Sequence, residues 1–318
     1  MESGNQTLVL EFILLGLSEK PELELVLFAV FLPVYLITLG ANVLIIAVFC
    51  VDQHLHTPMY FFLCNLSVLD ICYSSAYIPK SLKDFLSEKK TISFNGCAAQ
   101  MYIALSLGVA ECLFLAVMAC DRYVAICHPL NYTVIMSWAV CMKTAAGTWI
   151  GGFLLSVVYV AFTLPLPFCG HNQINHFTCE VTAVLRLACT DIRKSEIAIF
   201  VMAVLVLIVP LSLIFLTYLH IIVAILRIRS ADGRRRAFST CTSHLTVVTL
   251  FFGTAMVMYL NPRSVVPAEK DKIFSLFYGA IIPMLNPLIY TLRNKEVKGA
   301  LRKAIRGRQM SSAICCKW

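Results

Sequence analysis

Seven apolar stretches, each long enough to cross a lipid bilayer, dominate this chain: about 24 to 50, 58 to 80, 98 to 120, 144 to 164, 197 to 226, 237 to 260 and 271 to 292. A helix needs about 20 apolar residues to span the hydrocarbon core, where no water satisfies backbone N–H and C=O groups. A soluble fold has no place for so much apolar surface: 59% of the 318 residues are hydrophobic and 14% charged, against about 25% charged in ordinary globular domains. The expectation is an all-α membrane protein, a bundle of seven transmembrane helices. It has an outer tail at 1–23, a membrane domain at 24–292 and an inner segment at 293–318. In that last segment Lys295, Lys298, Arg302, Lys303 and Arg306 interleave with Val297, Ala300, Leu301, Ala304 and Ile305 at helical spacing. The pattern predicts a short amphipathic helix lying on the leaflet surface.

Basic residues set the orientation. With the N-terminus outside, 15 of the 26 Lys and Arg fall on the inner side: Arg122, Lys143, five arginines between 227 and 236, and eight residues from Arg293 onward. The inner excess favours N-out, C-in. Asn5-Gln6-Thr7 then forms an N-glycosylation acceptor on the outer tail. Cys97, Cys169, Cys179 and Cys189 face the same oxidising side, an even number that suggests two disulfides with three pairings open. Other cysteines, such as Cys50, Cys64, Cys72 and Cys112, lie in apolar runs as small hydrophobes. No basic start with a cleavage-like site precedes the first span, which is expected to act as the insertion signal.

Several function classes fall away. The net charge of +8 is not gathered into an aromatic-studded basic face, as nucleic-acid binding requires. No internal repeat points to an inverted-repeat transporter. No nucleophile–base constellation, metal-ligand spacing or phosphate loop points to an enzyme.

Ionisable groups are scarce inside the spans, so Asp70 in the second and Glu111 in the third stand out. A carboxylate in hydrocarbon costs at least a few kcal/mol, so it turns toward the bundle interior and marks an ion, proton or switch site. With Asn42 and Asn286 at matching depths, the pair is suited to hold a sodium ion, to share one proton, or to form a hydrogen-bonded cluster without an ion. No other cofactor is expected. Asp121-Arg122-Tyr123 closes the third span at the inner edge, where a guanidinium can pair with a carboxylate and later be released to a partner. Asn286-Pro287-Leu288-Ile289-Tyr290 puts a proline inside the seventh span, freeing a backbone carbonyl beside a polar side chain.

The joint occurrence of these motifs, each in the appropriate span, resembles rhodopsin-like G-protein-coupled receptors. Four longer motifs narrow the resemblance to olfactory receptors. They are Leu55-His56-Thr57-Pro58-Met59-Tyr60-Phe61-Phe62-Leu63, the run from Met118 to Leu130 (MACDRYVAICHPL), Phe238-Ser239-Thr240-Cys241-Thr242-Ser243-His244-Leu245, and the run from Pro283 to Asn294 (PMLNPLIYTLRN). Departures are small: Cys120 stands where the family typically has tyrosine, Arg236 where lysine is usual, and Phe252 where many members have tyrosine.

The resemblance implies disulfides Cys97–Cys179 and Cys169–Cys189, and coupling through a stimulatory olfactory-type G protein to adenylyl cyclase and cyclic AMP. It makes Arg122 the inner switch, with Tyr218 and Tyr290 as its active-state partners, and places His244 in a helix motif as an interior histidine or a switch. It also implies an odorant pocket at Ala104, Leu105, Gly108, Val109, Met202, Val206, Phe252, Ala255, Tyr259, Leu276 and Gly279. Those positions are nearly all apolar, and Ala98 to Val109 carries no carboxylate to balance an ammonium, which favours a small, largely neutral hydrophobic ligand. The Tyr259 hydroxyl suits an alcohol, aldehyde or ketone; Arg263 beyond it suits a carboxylate or solvent. The arginines at 227, 229, 234, 235 and 236 suit the G protein or the membrane surface, and Cys315 and Cys316 suit palmitoylation.

Overall fold

The computed structural model describes residues 9–18, 20–228, 230–260, 268–293 and 299. Among the described residues ten α-helices are formed: α1 Pro21–Val51, α2 Pro58–Phe85, α3 Phe94–Cys127, the short α4 Tyr132–Ile135, α5 Trp138–Thr163, the short α6 Val181–Leu185, α7 Arg193–Leu226, α8 Ala231–Tyr259, α9 Ala268–Leu276 and α10 Ile282–Arg293. A π-helical turn, Phe277–Ile281, joins the last two into one column. Seven columns are long and apolar enough to cross a membrane: α1, α2, α3, α5, α7, α8 and the α9–α10 composite. Each coincides with one expected span, and most run several residues further. The apolar count stops where side chains become polar, whereas α2 continues through Lys80, Lys83 and Asp84 because a helix does not end at the edge of hydrocarbon.

Local signals account for the starts. Proline occupies the first turn of α1 and α2, where its missing N–H is no loss. Ser93 caps α3 by accepting from the Gly96 N–H at 3.1 Å, and Ser230 caps α8 by accepting from Gly233 at 3.2 Å. The third column is the axis: 72% of its most apolar stretch is buried, against 28% for α1 and for α5. The peripheral helices turn Leu25, Leu36, Ile150, Leu154, Val209 and Phe215 outward, a surface that only a bilayer accepts. Where α5 crosses α3, a Cβ on Gly152 would lie 2.6 Å from the Ser106 carbonyl oxygen and 2.9 Å from the Ala110 Cβ. Only glycine permits that approach.

The outer end carries structure that the hydropathy pattern does not predict. Strands β1 Glu11–Leu14, β2 Thr91–Ser93 and β3 Gln173–Ile174 form a small sheet in the order β2-β1-β3, with β1 antiparallel to β2 (Phe12 opposite Ile92) and parallel to β3 (Ile13 opposite Gln173). Part of the expected outer tail is thus woven into the mouth of the bundle. Phe12 stacks on Phe94 at 5.9 Å and meets Phe168 edge-on at 5.7 Å. The segment between α5 and α7 folds inward, with Ile174, Val181, Val184 and Leu185 fully buried. Disulfides Cys97–Cys179 and Cys169–Cys189 hold it, with Cα separations of 5.4 and 6.0 Å. The amphipathic helix expected at 293–318, Asn5, Arg263, Arg229, Cys315 and Cys316 lie outside the described residues, as does the side chain of Arg236.

Candidate functional site

A buried cavity of about 30 Å3, room for one or two waters, lies in the outer half of the bundle. Seven sequence candidates stand on its wall: Ala104, Leu105, Gly108 and Val109 from α3, Val206 from α7, and Ala255 and Tyr259 from α8. Leu276 and Gly279 line a smaller adjoining void of about 10 Å3. Met202 packs half-buried against the core, and Phe252 is fully buried beside Phe251 at 5.4 Å between ring centres; neither stands on the wall.

The wall is less apolar than those positions suggest, because Tyr73, Tyr77 and Tyr278 join Tyr259 on it. The Tyr73 and Tyr77 hydroxyls are 3.3 Å apart. A Cβ on Gly108 would come within 2.5 Å of the Tyr278 hydroxyl oxygen, so glycine there admits the phenol. The Tyr259 hydroxyl donates to Glu180 Oε1 at 2.7 Å, a carboxylate from the loop beyond α5 that is only 5% exposed. Sequence reasoning named none of Tyr73, Tyr77, Tyr278 and Glu180. The one available signal was the position of Glu180 beside Cys179, which a disulfide to α3 pulls into the mouth.

That loop is pinned by polar contacts. Gln100 on α3 accepts from the Cys179 N–H at 3.0 Å and donates to the Ala76 carbonyl at 2.8 Å, joining loop, α3 and α2. Nδ1 of His176 accepts from the Thr178 N–H at 3.1 Å, so Nε2 carries the proton and donates to the Ser275 hydroxyl at 3.1 Å. Burial pushes the His176 pKa down to about 3, so the ring is neutral at physiological pH. Arg186 pairs with Asp271 at 2.9 Å.

Deeper in the bundle the structure brings the four intramembrane polar candidates together. Asn286 donates to Asp70 Oδ1 at 3.0 Å and Glu111 Oε1 at 3.3 Å. Asn42 donates to the carbonyls of Thr38 at 3.0 Å and Pro283 at 3.2 Å, so α1, α2, α3 and α10 meet here. Two buried oxygens in this layer, Asn42 Oδ1 and Asp70 Oδ2, have no hydrogen-bond partner. Unsatisfied hard oxygen donors beside carboxylates fit a small hard cation or an added proton. Among the described residues no group of three or more His, Cys, Asp or Glu is placed to hold a metal ion.

At the inner end Arg122 is buried with Nε unpartnered, and the buried Tyr290 hydroxyl also lacks a partner. Asp121 accepts from Tyr132 on α4 at 2.7 Å; ion pairs among the described residues do not include Asp121 with Arg122. Tyr218 pairs with His244 rather than Arg122: His244 Nε2 donates to the Leu115 carbonyl at 3.0 Å, leaving Nδ1 to accept from the Tyr218 hydroxyl at 2.9 Å. Helices α3, α7 and α8 are thereby linked. Tyr123 packs edge-on against His128 and His220, and Pro287 lies within α10. Arg227, Arg234 and Arg235 are exposed.

Seven membrane columns with α3 at their axis, an outer cavity, a polar layer at mid-depth and a buried arginine at the inner mouth define a heptahelical receptor. A family profile described as "Olfactory receptor" matches residues 31–308. Human olfactory receptor 2A12 is 51% identical over 305 residues, covering 96% of this chain and 98% of its own. Human olfactory receptor 2D2 is 52% identical over 303 residues (95% and 98%), and human olfactory receptor 13C2 is 50% identical over 317 (98% and 100%). The chain belongs to the olfactory receptor family. It is a multi-pass protein of the plasma membrane and a receptor, not an enzyme.

Proposed function

We propose that this receptor binds small, largely apolar volatile ligands in the cavity between α3, α7, α8 and the π-helical turn, and activates a stimulatory olfactory-type G protein that raises cyclic AMP. The observation that carries this reading is the small cavity, apolar on the α3 and α7 sides and set with tyrosine hydroxyls on the others. A cavity of about 30 Å3 is far smaller than an odorant, so binding requires the walls to part. A ligand then stabilises the expanded bundle by its differential affinity for the two states. Helices α7 and α8 supply the wall residues Val206, Ala255 and Tyr259 and also the inner pair Tyr218–His244. Displacement at the outer end therefore reaches the contacts that keep Arg122 covered. Released, Arg122 takes Tyr218 and Tyr290 as partners at the face offered to the G protein, with the N-terminus outside and the C-terminus inside. Asp70, Glu111, Asn42 and Asn286 hold a sodium ion or a shared proton, which cancels one of the two buried carboxylate charges in the covered state.

The test is cyclic AMP in cells expressing the receptor with an olfactory-type G protein, screened against volatile compounds beside Arg122→Ala. A dose-dependent rise that the variant lacks at equal surface expression is expected; silence with the receptor at the surface sinks the sensory reading. The same assay in sodium and in choline medium tests the occupant of the polar layer: a shifted dose response assigns sodium, and an unchanged one rules it out, leaving a shared proton or a hydrogen-bonded cluster without an ion.

A further inference from the structure

We propose that Glu180 sets the hydrogen-bonding polarity of the cavity, so that it selects alcohols and phenols over ketones and aldehydes of the same size. This rests on the ligand site proposed above. Glu180 is held firmly: Cys179 before it is bonded to Cys97 on α3, the Cys179 N–H is fixed by Gln100, and the buried helix α6 begins at Val181. Its carboxylate receives the Tyr259 hydroxyl at 2.7 Å. A phenol has one proton and a carboxylate only accepts, so the Tyr259 proton is committed outside the cavity. What Tyr259 offers a ligand is lone pairs. An alcohol or phenol supplies the missing proton, whereas a carbonyl sets its own lone pairs against those of Tyr259.

Tyr278 completes the selection. Its hydroxyl, admitted by Gly108, makes no hydrogen bond among the described residues and keeps a proton to give. A ligand hydroxyl can donate to Tyr259 and accept from Tyr278, whereas a ketone can only accept. A site built to pair with a hydroxyl discriminates against the analogue lacking it, because its polar group is left unpaired. Tyr259 alone does not distinguish an alcohol from a ketone. The distinction comes from Glu180, a loop residue behind the wall.

The experiment compares half-maximal concentrations for secondary alcohols and the ketones of identical carbon skeleton, in the cyclic AMP assay with surface expression measured in parallel. The wild-type receptor is expected to favour the alcohol by about ten-fold, one hydrogen bond's worth. Tyr259→Phe removes that oxygen and is expected to bring the ratio to about one, by weakening the alcohol and relieving the ketone of its lone-pair clash. Glu180→Ala frees the Tyr259 proton and is expected to strengthen the ketone, moving the ratio toward or past one. A ketone preference in the wild type, or a ratio that Tyr259→Phe leaves unchanged, overturns the proposal while leaving the ligand site in place. Silence toward both series with the receptor at the surface overturns the ligand site and the proposal with it. If Glu180→Ala fails to reach the surface, the Tyr259→Phe ratio still decides.

Discussion

At the outer end, two disulfides, a three-stranded sheet and a loop buried from His176 to Leu185 tie α2, α3, α8 and α9 together, whereas at the inner end α3, α7 and α8 meet through two hydrogen bonds centred on His244. Rearranging the outer end means opening covalent cross-links and exposing Ile174, Val181 and Leu185 to water. Opening the inner end means exchanging the Tyr218–His244–Leu115 bonds, each worth about 1 kcal/mol net. That sum lies within reach of a ligand's differential affinity. Among the described residues, Arg122 Nε and the Tyr290 hydroxyl are buried without hydrogen-bond partners, so both are available to new ones. The cap over the cavity is cross-linked and stiff, whereas the helices beneath it can part for a ligand and shift at the inner end.

The sharpest way to break the contrast is to remove the outer cross-link. Cys97→Ser is expected to cost about 2–5 kcal/mol and to keep most of the receptor from the cell surface, read by flow cytometry of an outer tag. An inner substitution should do much less. Tyr218→Phe strands the buried Nδ1 of His244, costing about 1–3 kcal/mol, and leaves the receptor at the surface with a thermal midpoint in detergent lowered by a few degrees. Equal surface loss in both variants would erase the distinction between the ends. The smallest effect is a pH dependence confined to the outer end. The folded-state pKa of His176 is depressed from 6.5 to about 3, so unfolding takes up a proton between those values. Its contribution is intact above about pH 6.5 and declines as pH falls toward 3. At pH 5.5 the loss is on the order of 1 kcal/mol, seen as a drop in thermal midpoint from pH 7.5 that is reduced in His176→Gln.

The spans and the inner motifs were legible in the sequence for a physical reason: the bilayer demands long apolar runs, and an ionisable residue inside one must face the interior. Asp70, Glu111 and Asn286 share hydrogen bonds in one layer with Asn42 beside them, and Asp121, Arg122, Tyr218, His244 and Tyr290 lie toward one end. The cavity was only half legible. Residues of spans 2 and 7 that face inward carry no hydropathy signal separating them from residues facing lipid, so Tyr73, Tyr77 and Tyr278 went unnoticed. The π-helical turn also alters the helical phase just where Tyr278 and Gly279 point inward. The sheet was invisible because its strands are two to four residues long and more than 70 residues apart in the chain.

That sheet has a consequence for how the receptor is made. Strand β1 leaves the ribosome first, yet its parallel partner lies 160 residues later, from Ile13 to Gln173. At roughly 5–20 residues per second the strand waits some ten to thirty seconds, on the far side of the membrane in the N-out orientation proposed above, while four helices are inserted. The opening words of the chain are among the last to find their place, and lumenal chaperones have that interval in which to hold them.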